Sequence, residues 1–129
     1  MPVKVVESIK FTKDIRNLKK RYRAIESDIE PLIERLEAGE TPGDRVTGSK
    51  YPVYKVRVIN SNIKKGQSGG YRVIYYIRTP EAILLTNIYS KSDLSDISNK
   101  EVEDVIARYE PEVTISETEE LEDGDRSTS

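Results

Sequence analysis

The sequence predicts an α+β fold with elements in the order β-α-α-β-β-β-α, an antiparallel sheet carrying helices on one face. Three observations predict it. An apolar stripe at helical spacing runs through residues 11–36. Three segments between residues 53 and 90 are rich in Val, Ile, Tyr and Leu, and a capping pattern followed by a second apolar stripe closes at Tyr109. A chain of 129 residues has room for one such core and not for two.

Val3 to Ile9 alternates as a first short strand, with Val3 and Val5 on one side and Val6 on the other. Phe11, Ile15, Leu18, Tyr22, Ile25 and Ile29 then follow a 4-3-4-3-4 spacing, which lines one side of a helix, with Thr12 as its candidate N-cap. Pro31 and the Ser27-Asp28 pair divide this stretch into two helices meeting near residues 24–27, a hairpin that Gly39 and Pro42 bring to an end. Thr41 to Pro52, punctuated by Gly and Pro, reads as a loop. Val53 to Ile59, Tyr71 to Arg78 and Ala82 to Ser90 read as strands, the last two joined by a tight turn at Thr79-Pro80-Glu81, so they form an antiparallel meander. Ser98-Asn99-Lys100-Glu101 is a capping box, and Val102, Val105, Ile106 and Tyr109 give a last helix that stops before Pro111. The expected domain spans residues 1–110. Residues 111–129 form an acidic tail with too few apolar side chains to bury and order itself.

Composition narrows the chemistry. The chain has no Cys and no His, which excludes a thiol nucleophile, cysteine-based metal sites, imidazole ligands and His-dependent triads. Catalysis would have to run on Lys, Arg, Tyr, Ser or carboxylates. No apolar run approaches the roughly 20 residues needed to span a bilayer, and residues 1–10 lack the hydrophobic core of a signal peptide, so a cytoplasmic location is expected.

The net charge of −2 hides a segregation. Residues 1–110 hold 20 Lys+Arg against 16 Asp+Glu, whereas residues 111–129 hold one Arg against seven acids. Within the body, Arg45, Lys50, Lys55, Arg57, Lys64, Lys65, Arg72, Arg78 and Lys91 face Glu81 alone, a stretch of net +8. Such density inside an acidic protein points to a face for a polyanion, phosphate above all, or else to a solvated basic surface. The tail has the charge to fold back over that stretch; an inert extension is the plainer reading.

Strand alternation turns the charge into geometry. Lys55 and Arg57 share one face of their strand, roughly 7 Å apart. Arg72 shares a face with Ile74 and Tyr76, and Tyr89 shares one with Lys91. Where these faces coincide, a cationic and phenolic cluster forms on the open side of the sheet. The intervening loop, NSNIKKGQSGG, can bring ammonium groups and backbone N–H groups to a phosphate. Taken singly, each of these residues also fits ordinary strand surface, hairpin turn or rim packing. Together they are costly through mutual repulsion unless an anion offsets it.

Three stretches, GDRVTGSKYPVYKVRV, KKGQSGGYRVIYY and LLTNIYSKSDLSD, resemble the HigB-type branch of the RelE/ParE toxin superfamily, the toxin halves of bacterial type II toxin–antitoxin pairs. The likeness covers about residues 3–110 and lies in the K-x-R strand, the GGYR hairpin and the IY-x-K strand end; it is weak over the helices and absent over the tail. It implies the small RelE-like domain. It also implies ribosome-dependent cleavage of mRNA without metal or cofactor, in which the ribose 2′-OH attacks the adjacent phosphate and leaves a 2′,3′-cyclic phosphate and a 5′-OH. A cognate antitoxin, the ribosome and mRNA are the implied partners, with no membrane.

By the same resemblance Lys55, Arg57, Arg72, Tyr89 and Lys91 are the catalytic positions. Arg57 and Arg72 would hold the transition-state phosphate. Lys55, Lys65 and Lys91 are candidates for a base or a positioning role, since a lysine among other cations gives up its proton more readily. Tyr89 is placed for base stacking or proton transfer. Lys50, Lys64, Lys65, Gln67, Ser68 and Arg78 would contact RNA or ribosome. Members often carry Lys or Arg where this chain has Gln67 or Ser68. Two other readings stand beside cleavage: a ParE-like inhibitor of DNA gyrase, and an RNA- or partner-binding module without catalysis.

Overall fold

The computed structural model describes residues 2–63 and 69–109. Lys64, Lys65, Gln67 and Ser68, and the expected tail at 111–129, lie outside the described residues. The elements are β1 (Lys4–Glu7), α1 (Ile9–Lys19), α2 (Ile25–Glu37), β2 (Asp44–Arg45), β3 (Val53–Val58), β4 (Tyr71–Thr79), β5 (Ala82–Ser90) and α3 (residues 99–109). This is the expected α+β order with one short strand, β2, inserted in the segment read as a loop.

The first strand is shorter than expected because Ser8, not Thr12, caps α1. The Ser8 hydroxyl accepts from the Phe11 amide at 2.9 Å and donates to the Thr86 carbonyl at 2.9 Å, so the helix starts a turn early. Thr12 instead donates to the Glu7 carboxylate at 2.8 Å. The hairpin breaks after Lys19, and α2 begins at Ile25 with Pro31 well inside it. Pro31 withholds the amide that would bond the Ser27 carbonyl, yet the helix continues because Ile25, Ile29, Leu32 and Leu36 are all buried. Gly39, at φ +95°, turns the chain out of α2, with the Glu40 amide on the Arg35 carbonyl and the Gly39 amide on the Leu36 carbonyl, both at 3.0 Å.

The sheet order is β1-β5-β4-β3-β2, with β1 parallel to β5 and the remaining pairs antiparallel, so the expected meander is present. On one face Val56, Val58, Tyr71, Val73, Tyr75, Ile83 and Leu85 pack with Phe11, Ile15, Leu18 and the buried stripe of α2. On the other face Val53, Ile74, Tyr76, Leu84 and Tyr89 pack with Val102 and Ile106. The expectation of helices on one face therefore holds for α1 and α2, while α3 covers part of the opposite face. The reason lies in β4 and β5, which are apolar on both sides over much of their length and so need a cover on both.

Alternation on β5 is broken at one residue. Tyr75 pairs with Leu85 and Ile74 with Asn87, which leaves Thr86 as a bulge whose hydroxyl donates to the Ile74 carbonyl at 3.0 Å. Beyond it the faces exchange. Ile88 joins the α1 and α2 side and Tyr89 the α3 side.

Candidate active site

The site lies on the α3 side of β3, β4 and β5, where α3 leaves the sheet uncovered. Arg57 pairs with Arg72, and Arg72 pairs with Tyr89, so the three side chains form a row across three strands. Lys55 sits two residues before Arg57 on the same face, opposite Ile74. Without the Thr86 bulge, strict alternation would turn Tyr89 to the helical side. Lys55, Arg57, Arg72 and Ile74 floor a cavity of about 600 Å³ whose walls include Asp44, Arg45 and Thr47 on one side and Asp96, Asn99 and Val102 on the other; Tyr89 does not line it and reaches it through Asp96.

β2 forms one wall because Gly43, at φ +94°, lets the backbone lie against β3. A Cβ there would stand 2.4 Å from the Lys55 carbonyl oxygen. The Val46 amide extends the pairing to the Val53 carbonyl at 2.8 Å. The other wall is the β5–α3 connection and the first turn of α3, held by the Asn99 side-chain amide on the Thr47 carbonyl at 3.1 Å.

Two guanidinium groups on directly paired positions repel one another. An arrangement of this kind is suited to holding an anion between two forks. Lys55 adds an ammonium that donates to Asp96 Oδ1 at 2.7 Å, and the Tyr89 hydroxyl donates to the same oxygen at 3.3 Å. The bond from Lys55 is the main reason the Asp96 carboxyl is held below its ordinary value. Burial, followed by the charge of Asp96 and the bond to it, pushes the Tyr89 phenol up to about 12. At neutral pH Tyr89 therefore keeps its proton and acts as a donor.

Lys55, Arg57, Arg72 and Tyr89, four of the five expected catalytic residues, come together. Lys91 follows β5 and donates to the Ser95 carbonyl at 2.8 Å, tying its own loop rather than lining the cavity. Lys50 is exposed on the loop before β3, with its amide on Glu103 of α3 at 3.1 Å. Arg78 sits at the far end of β4, roughly 20 Å along the strand from Arg72. Asp96 was missed by the sequence reading. It closes the S-K-S-D-L-S-D run whose lysine alone drew notice, and nothing in a loop sequence says which strand its carboxylate will reach.

Fold and site define a small α+β protein with a cavity on its meander that is floored by Lys55, Arg57 and Arg72. The model of the RelE toxin of the RelE/RelB toxin–antitoxin system matches residues 8–123, and the chain belongs to that family of toxins. Among solved structures, the chain is similar to a double arginine-to-alanine variant of the E. coli toxin RelE in its free state, at 17% identity and a TM-score of 0.48 over 74% of this chain and 90% of that one. No curated protein matches.

Proposed function

We propose that this toxin is a metal-independent mRNA endoribonuclease of the HigB type that acts on the translating ribosome in the cytoplasm and is neutralised by a cognate antitoxin covering the open face. The row of Arg57, Arg72 and Tyr89, with Lys55 beside it, carries the reading. It supplies what in-line attack by a 2′-OH needs and His would otherwise provide.

In this reading the two guanidiniums bind the non-bridging oxygens of the scissile phosphate and gain strength as charge grows on the phosphorane. Lys55, as the neutral amine in the active complex, takes the proton of the attacking 2′-OH and becomes the ammonium. Tyr89, which keeps its proton at neutral pH, gives it to the leaving 5′ oxygen. One bond forms, from the 2′ oxygen to phosphorus, and one breaks, from phosphorus to the 5′ oxygen, leaving a 2′,3′-cyclic phosphate and a 5′-OH. Lys50, Lys64, Lys65, Gln67 and Ser68 would meet RNA or ribosome, while Lys91 serves by shaping the loop that carries Asp96.

The test is to add the protein to a reconstituted bacterial translation reaction and map mRNA ends by primer extension, with Arg72→Ala and ribosome-free lanes. Cuts that need the ribosome and vanish with Arg72→Ala are expected. Intact mRNA with folded wild-type protein overturns the reading and makes gyrase supercoiling the next assay.

A further inference from the structure

We propose that Asp96 sets the affinity of this site for RNA, because its carboxylate holds the position of the incoming phosphate and has to leave before the phosphodiester can enter. The inference rests on the cleavage reading above and deepens it. Asp96 Oδ1 accepts from three donors: Lys55 Nζ at 2.7 Å, the Tyr89 hydroxyl at 3.3 Å and the Ile97 amide at 2.9 Å. The first two are groups the reaction assigns to the phosphate region. A carboxylate oxygen and a phosphate oxygen make the same demands on an ammonium and a phenol, so one group can stand in for the other.

Three features separate this from an ordinary structural contact. First, α3 does not need Asp96 as a cap, since the Ser98 hydroxyl accepts from the Glu101 amide at 3.1 Å. Second, the loop backbone is anchored elsewhere. Asp93 pairs with Arg21, and Lys91 donates to the Ser95 carbonyl at 2.8 Å, so the Asp96 side chain can rotate away while its loop stays in place. Third, the Asp96 side chain is 60% exposed and that of Lys55 31%, so water competes for the pair and it is easily given up. A buried pair would be a fixture of the fold; this one is exchangeable.

The contact explains how a cation cluster is tolerated before RNA arrives. It also places a competitor where weak, non-specific polyanions would otherwise bind. Long RNA presented in register, with the two guanidiniums already on one phosphate, displaces the carboxylate; a stray anion gains less by doing so.

The experiment is fluorescence anisotropy with the full chain and a labelled 2′-O-methyl RNA oligonucleotide, which cannot be cleaved, over a series of salt concentrations. Asp96→Asn is expected to tighten binding roughly two- to fivefold, the scale of one exposed charge pair. Asp44→Asn removes an equal charge from the opposite cavity wall and is expected to do less. In a Lys55→Gln background the gain from Asp96→Asn is expected to vanish, because the competition is for that ammonium. Unchanged or weaker binding with Asp96→Asn overturns the proposal, as does a gain equal to that of Asp44→Asn or one that persists with Lys55→Gln. Arg72→Ala separates the two levels. If it weakens binding while Asp96→Asn does nothing, only the role of Asp96 falls; if it binds like wild type, the RNA site itself falls and this proposal with it.

Discussion

Strands β3, β4 and β5 present one set of side chains to α1 and α2 and the alternate set to α3 and the cavity, and the two faces differ in kind. The helical face is closed. Val56, Val58, Tyr71, Val73 and Tyr75 are buried on it, and the hydroxyl of Tyr75 donates to the Pro42 carbonyl at 2.6 Å. The other face is apolar only where α3 reaches it, and elsewhere carries Lys55, Arg57 and Arg72 among Val53 and Ile74. A period of two thus lets one backbone separate stability from chemistry within a small domain. Changes on the helical face should alter unfolding and leave each folded molecule active, and changes on the cavity face should do the reverse.

The largest break in that comparison is Phe11→Ala. Phe11 is fully buried between α1 and the sheet, and truncation leaves a cavity costing about 3–5 kcal/mol. Urea unfolding should show the loss as a lower midpoint, while cleavage per folded molecule in the translation assay stays near wild type. A loss of activity out of proportion to the unfolded fraction would show that the two faces are coupled.

Arg72→Ala is the converse. On the cleavage reading proposed above, losing Arg72 from the phosphate is expected to lower cleavage by about 10²- to 10³-fold. Stability should hold or rise slightly, because Arg72 stands opposite Arg57 and the repulsion between them is relieved. A midpoint that falls by more than that of Phe11→Ala would assign Arg72 to the core rather than to the cavity.

The same contrast shows what the sequence makes legible. The helical face could be read in advance, since spacing at Phe11, Ile15 and Leu18 and alternation along β3 and β4 are properties of neighbouring residues. The row of Arg57 and Arg72 was legible as a parity on each strand; its register was not, because pairing is set by the whole sheet. Three features escaped. The side on which α3 packs depends on which face of β4 and β5 remains to be covered after α1 and α2 have docked. Strand β2 is two residues long and exists through its pairing with Lys55 and Tyr54, so it leaves no pattern of its own. Asp96 is joined to Lys55 across 41 residues, a contact that only the folded loop creates.

Thr86 is where the two faces change places, and Thr86→Val sharpens the comparison. Valine keeps the shape but loses the hydroxyl that bonds the Ile74 carbonyl, a buried loss of about 1–2 kcal/mol. If the bulge aims Tyr89, the variant should also lose cleavage several-fold, unlike Phe11→Ala, and urea unfolding beside end mapping reads both effects. Loss of stability with full activity per folded molecule would mean that the rest of β5 holds the bulge unaided.

The smallest effect is one of pH, and it distinguishes the faces by their tyrosines. Burial pushes Tyr89 on the cavity face up to about 12 and pushes Tyr71 and Tyr75 on the helical face higher still. In the unfolded chain all three ionise near their ordinary value of about 10. Above that value the unfolded chain has released protons that the folded chain retains. The contribution of a raised phenol is therefore complete below about pH 10 and is lost as pH climbs toward the folded value, at about 1.4 kcal/mol per pH unit for each tyrosine. Lysines also titrate in this range, so the quantity to measure is the difference between wild type and Tyr89→Phe in unfolding free energy at pH 9, 10.5 and 11.5. That difference should be constant up to about pH 10 and then shrink, because the variant lacks one ionisable phenol in the unfolded chain. A difference that stays flat throughout would place the Tyr89 hydroxyl in water rather than against Asp96, and the proposed cleavage would then lose its proton donor.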